Sequence, residues 1–192
     1  MSADEAPREL GLPETRDEID RALLKRIGEG DRTAVRELYQ FYYRPLTRFL
    51  SRFSRRYELA EDVINDTFCV VWQRARDFRG ESRFSTWLFG IAYRRALKAW
   101  RREAPLDRLD SEGVEEPADL PAERIELQDW LGIALERLPL EQRMVLELAY
   151  QGGHSCEEIA AIVQCPVNTV KTRMFHARRK LRGLLTALAG MA

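Results

Sequence analysis

Apolar positions recur at intervals of three and four along most of this chain. Val35, Leu38, Tyr39, Tyr42, Leu46, Phe49, Leu50 and Phe53 form one such stripe. It predicts a long amphipathic helix opened by Asp31 as its N-cap and kinked near Pro45. A second stripe, Ala60, Val63, Ile64, Thr67, Val71, Ala75 and Phe78, follows the turn RRYEL, and a third, Phe84, Trp87, Leu88, Ile91, Ala96 and Trp100, follows RGES. No run reads as a strand. Further along, QDWLGIALERL leads to PLEQRMVLELAY, with Pro139 at its opening, then a Gly152, Gly153 stop and two more helices. The pattern predicts an all-α protein built as two small helical domains.

The last two helices carry the sharpest local signals. Ser155 followed by Glu158 is a capping box that starts a helix ending near Val163. Gln164 and Cys165 leave room only for a tight turn, and Pro166 opens a helix that runs past Leu185. Two helices joined this closely, the second rich in cations, make a helix-turn-helix pattern. In the second of them Val170, Met174, Ala177, Leu181 and Leu184 share the core-facing side, which turns Asn168, Lys171, Thr172, Phe175, His176, Arg178 and Arg179 outward. Amide, ammonium, hydroxyl and aromatic groups early in that helix suit base edges and thymine methyls, while the later arginines suit phosphates.

Charge sharpens this division. The 192 residues hold 31 basic and 31 acidic side chains, but residues 21–103 carry 19 basic against 10 acidic, and residues 130–192 carry 8 against 5. Between them, residues 104–129 carry 2 against 9, with three prolines and no aromatic residue. That stretch cannot bury enough apolar surface to offset the entropy of ordering, so it reads as a flexible acidic linker. Two basic lobes on an acidic tether predict a polyanion gripped at two places.

The first lobe has its own chemistry in DFRGESRFSTWLFGIAYRRALKAWRR. Arg94, Lys98, Arg101 and Arg102 lie on one helical face as a cationic stripe suited to phosphates. Just before it, Phe78 and Phe84 bracket a glycine loop holding Arg79, Ser82 and Arg83, and Tyr93 lies beside the stripe. Rings alternating with cations suit unstacked bases. Phe84, Trp87 and Trp100 also sit on the apolar stripe, so core packing competes with base stacking for them.

Several classes are set aside. No stretch approaches the roughly 18 apolar residues of a membrane span, and the N-terminus is acidic where a signal peptide would be basic then apolar, so no membrane insertion and a cytoplasmic location are expected. The three cysteines include no CxxC pair. His154, Cys156 and Cys165 form a weak candidate metal or redox set at irregular spacing. No catalytic residue, cofactor or metal is expected, because both histidines lie in the helix-turn-helix region and no glycine-rich phosphate loop is present. The competing reading is a regulator that binds operator duplex on its own.

Two longer stretches carry a family resemblance. AEDVINDTFCVVWQRARDFRGESRFSTWLFGIAYRRALKAWRR resembles region 2 of the bacterial extracytoplasmic-function (ECF) RNA polymerase sigma factors, group IV of the sigma-70 family. LERLPLEQRMVLELAYQGGHSCEEIAAIVQCPVNTVKTRMFHARRKL resembles their region 4. The resemblance implies a tail over 1–17, a region 2 bundle over 18–103, a linker over 104–128 and a region 4 helix-turn-helix over 129–188. It implies that Asp62, Asn65 and Asp66 dock on the beta-prime clamp helices of core RNA polymerase, with the beta flap as a further contact. Phe78, Arg79, Ser82, Arg83, Phe84, Tyr93, Arg94, Arg95 and Lys98 would receive melted minus-10 DNA. Asn168, Lys171, Thr172, Phe175, His176, Arg178 and Arg179 would read the minus-35 duplex. A separate anti-sigma factor is the implied regulator.

Overall fold

The computed structural model describes residues 15–52, 57–103 and 127–189, so the expected tail through residue 14, Phe53 of the first stripe, the start of the RRYEL turn and the linker core at 104–126 lie outside it. Within the described residues there are eight α-helices, a short 3-10 turn at Ala75–Asp77 and no strand. The first lobe comprises α1 (Arg16–Gly28), α2 (Arg32–Leu50), α3 (Tyr57–Arg74) and α4 (Phe84–Glu103). The second comprises α5 (Leu127–Glu136), α6 (Leu140–Tyr150), α7 (Cys156–Val163) and α8 (Val167–Ala189).

Local chemistry accounts for the helix ends. Asp31 caps α2 by accepting from the backbone N–H groups of Thr33 (2.8 Å) and Ala34 (3.4 Å). Its carboxyl is held down at about 2, chiefly by the Arg26 side chain and then by Thr33. The helix runs as one unit from Arg32 to Leu50 with Pro45 inside it. Ser155 and Glu158 form the expected capping box of α7. Gln164 ends that helix in the left-handed region at φ 55° and ψ 50°, which turns the chain into α8 within three residues.

α1 was not marked by any stripe named above. Thr15 and Glu18 make a reciprocal capping box at its start, and Leu23, Leu24 and Ile27 are buried from it. Asp20, also buried, receives the Tyr42 hydroxyl, which ties α1 to α2, and the Arg16 guanidinium from its own helix. Burial nonetheless pushes the Asp20 carboxyl up, against the opposing pull of those two partners.

Each lobe has an apolar centre, and the two centres are joined. Leu38, Leu46, Ile64, Val71, Phe84 and Leu88 are fully buried in the first, as are Met144, Leu148, Ile159, Ile162 and Val170 in the second. α4 packs on α7 and α2 touches α6. Between them Phe89 meets Phe49 at 5.3 Å and the buried His154 at 5.3 Å, both ring pairs edge to face.

Candidate nucleic-acid interface

The helix-turn-helix presents the side chains its periodicity predicts. Asn168, Lys171, Thr172, Phe175, His176, Arg178 and Arg179 are all exposed on α8, while Val170, Met174 and Ala177 are buried behind them. Phe175 is 62% exposed, a high value for such a ring. Arg179 stands 5.9 Å above its centroid and His176 meets it edge-on at 5.5 Å. α8 is anchored to α6 at a second point, where Arg173 pairs with Glu141. The exposed face therefore offers apolar, amide and cationic groups from one rigid element.

On the first lobe the expected DNA-contacting residues divide. Arg79 is exposed at the tip of the 78–83 loop, and Ser82 is partly exposed. Phe78 is half-buried, packed 5.3 Å from Trp87 and 6.3 Å from Phe84. Arg94 and Lys98 are exposed on α4, and Tyr93 is half-buried beside them. Phe84 is corrected: its ring is 0% exposed, edge-on to Tyr42 at 5.5 Å, so it belongs to the core. As the first residue of α4 it projects inward, and only its neighbours in the loop can meet a nucleic acid.

Two of the expected cations are already engaged. Arg95 donates from Nη1 to Asp66 Oδ2 at 2.5 Å, bridging α4 to α3. Arg83 turns toward the second lobe, where its guanidinium takes both oxygens of Glu158 and donates to the Gly153 carbonyl at 3.2 Å. Thr86 adds a 3.0 Å bond to the same carboxylate. The Glu158 carboxyl is consequently held near 2, with Arg83 as the leading cause. Glu158 thus serves at once as the capping residue of α7 and as the clasp between lobes.

The loop is also held from the other side, by residues the sequence reading did not single out. Arg21 of α1 donates from Nη2 to the carbonyls of Gly80 (3.3 Å) and Ser82 (3.2 Å) and from Nε to Asp17 Oδ2 (2.7 Å). Asp17 Oδ1 in turn accepts the Phe84 N–H at 3.0 Å. Arg76, just before the loop, donates to the Gly28 carbonyl at 2.5 Å. Arg21, Lys25, Arg76, Arg79 and Phe78 line a cleft of about 520 Å³ between α1 and the loop. The signal that could have revealed this was Thr15-Arg-Asp-Glu18, a capping box ahead of Ile19, Leu23, Leu24 and Ile27.

The polymerase-facing candidates Asp62, Asn65 and Asp66 are all exposed on α3, and Tyr39 reaches the Asn65 side chain at 3.5 Å. Among the described residues no three His, Cys, Asp or Glu side chains gather where a metal ion could be held, so His154, Cys156 and Cys165 do not form one site. His154 is buried, and its imidazole is pushed down to about 4 by that burial. Among the described residues no helix is long and apolar enough to cross a membrane.

Residues 38–105 match the Sigma-70 region 2 family and residues 128–181 match Sigma-70, region 4. The ECF RNA polymerase sigma-E factor of Haemophilus influenzae is 31% identical over 183 residues, spanning 88% of this chain and 96% of the relative. Its counterpart in Escherichia coli strain K12 is 33% identical over 177 residues, spanning 84% and 92%. Among solved structures, CnrH in complex with the cytosolic domain of CnrY matches with a TM-score of 0.66 at 26% identity, covering 88% of this chain and 98% of CnrH. The sigma factor RpoE in complex with the anti-sigma factor NepR from Bartonella quintana matches at 0.58 and 29%, covering 79% and 96%.

Proposed function

The chain belongs to the sigma-70 family, in its extracytoplasmic-function branch, and from that premise we propose how its two lobes divide the work of starting transcription. Core RNA polymerase supplies the catalysis in the cytoplasm, and this chain supplies the choice of promoter. Residues 18–103 bind the polymerase and the melted minus-10 element; residues 129–188 read the minus-35 duplex. The observation that carries this reading is the separation of surfaces. Asp62, Asn65 and Asp66 lie exposed on α3 of the first lobe, and the seven outward residues lie exposed on α8 of the second.

On α8, Asn168, Lys171, Thr172 and Phe175 meet base edges and thymine methyls, with His176 beside them, and Arg178 and Arg179 bind phosphates. On the first lobe, Phe78, Arg79, Ser82 and Arg83 receive an extruded base while Tyr93, Arg94, Arg95 and Lys98 steer the separated strands. Extrusion costs a few kcal/mol per base, on the order of what stacking and hydrogen bonding in a pocket return, so capture can drive melting without ATP. The clamp helices dock on α3. An apolar groove of about 560 Å³ bounded by Leu131, Leu135, Leu146, Tyr150, Leu181 and Leu185 receives the beta flap. Control by an anti-sigma protein is supported by the two matched sigma factors, each solved with such a partner or with a cytosolic domain bound to it.

Purified core polymerase incubated with this chain tests the reading. Co-elution on gel filtration, with discrete run-off transcripts from a genomic fragment library, is the expected result. Failure to co-elute, or tight binding of the free chain to duplex sites without polymerase, overturns it.

A further inference from the structure

We propose that α1, which precedes the residues matched to region 2, is a working part of the minus-10 site, with Asp17 and Arg21 as the residues that position the capture loop. The inference rests on the reading of residues 78–83 as that loop. The loop and its two flanks are tied to one helix. Arg21 holds the carbonyls of Gly80 and Ser82, Asp17 holds the Phe84 N–H where α4 begins, and the Gly28 carbonyl at the far end of α1 holds Arg76 just before the loop. The Asp17–Arg21 ion pair at 2.7 Å couples two of these ties, since one carboxylate serves both the arginine and the helix start.

The geometry is specific to the loop's sequence. Gly80 sits at φ +73°, a conformation L side chains rarely adopt, and a Cβ there would lie 2.5 Å from Arg21 Nη1. A side chain at position 80 would adopt a strained backbone and push the Arg21 guanidinium from its present place. Its guanidinium also stands 5.9 Å from the Phe78 ring centroid, on the edge of the cleft that Lys25, Arg76 and Arg79 share. With both carbonyls occupied from behind, the loop backbone is fixed, and Arg79 is held exposed at the cleft with Ser82 partly exposed beside it. A loop ordered before DNA arrives loses less conformational freedom on capture and holds its recognition groups in register. Asp17 and Arg21 contact no base; they act through the loop.

The test uses holoenzyme assembled from core polymerase and four chains: unaltered, Arg21→Met, Arg21→Lys and Asp17→Asn. The probes are a non-template single strand spanning the minus-10 element of a promoter recovered with the unaltered chain, and versions with one base replaced. Arg21→Met is expected to reduce discrimination between these strands by about tenfold, the loss of hydrogen bonds to a charged group. Arg21→Lys, which keeps the charge but not the fork, should recover part of it, and Asp17→Asn should show an intermediate loss. Co-elution with core and minus-35 preference should be unchanged in all three. Unaltered discrimination, or a parallel fall in core binding and minus-35 preference that marks a general loss of structure, overturns the proposal. Phe78→Ala and Arg79→Ala separate the two levels. If these leave discrimination intact, the reading of the loop has failed; if they abolish it while Arg21→Met is silent, only the role of α1 has failed.

Discussion

Phe84 and Lys171 illustrate how burial sorts side chains that look alike in sequence. The phenylalanine lies in a basic, ring-rich segment, yet its ring sits under Tyr42 and Trp87 with no exposed surface. Phe84→Ala should cost about 3–5 kcal/mol by urea denaturation, the usual penalty for emptying a buried aromatic site. If stability were unchanged and only promoter melting suffered, the core assignment would be wrong. Lys171 is the converse, exposed on a helix whose fold depends on Val170, Met174 and Ala177. Lys171→Ala should leave thermal unfolding within about 0.5 kcal/mol of the parent. Its effect should instead appear in selection among minus-35 sequences by the holoenzyme.

At the level of helices, α3 and α4 are bolted together outside their shared core by the Asp66–Arg95 pair, which links a polymerase-docking candidate to a DNA-steering candidate. Both side chains are well exposed, so the pair contributes no more than about 1 kcal/mol. Asp66→Asn should therefore weaken retention of core polymerase with little change in melting temperature; a large drop in that temperature would show the acid to be structural. Sequence made most of this architecture legible. The three apolar stripes correspond to α2, α3 and α4, and the Ser155–Glu158 box and Pro166 bounded the helix-turn-helix, because those signals lie within a few residues of one another. α1 escaped because its apolar positions are few and flanked by charges, leaving the Thr15–Glu18 box as its chief mark. Spacing put the Phe84 ring on the core-facing stripe, and only the resemblance carried it into the DNA-binding set; its burial agrees with the spacing.

Contact between the lobes had no signature in the sequence, since Arg83 and Glu158 are separated by 75 positions and the pattern assigned one to nucleic acid and the other to a helix cap. The junction nevertheless contains a titratable group. The His154 imidazole is held near 4 by burial, against 6.5 in an unfolded chain, with the Glu158 charge drawing it up and Arg83 pushing it down. A depressed value means the folded form resists protonation. The associated stability is complete above pH 6.5 and is lost as the pH falls toward 4, by up to about 3 kcal/mol. Glu158, near 2, stays ionised throughout that window. Stability measured between pH 7.5 and 4.5 should decline, and His154→Phe should flatten the decline; an equal slope in the variant would remove His154 as its source. Glu158→Gln weakens the clasp without disturbing burial, and small-angle scattering should report a larger radius of gyration at pH 7.5.

The Arg83 guanidinium is taken up by Glu158, so on the proposed reading an incoming strand would have to displace that carboxylate. Apparent affinity for an opened promoter would then scale with the fraction of molecules whose arginine is released, about tenfold for each 1.4 kcal/mol stored in the clasp. On the proposed reading, residue 158 would then set how much of the chain must be present before an opened promoter is held.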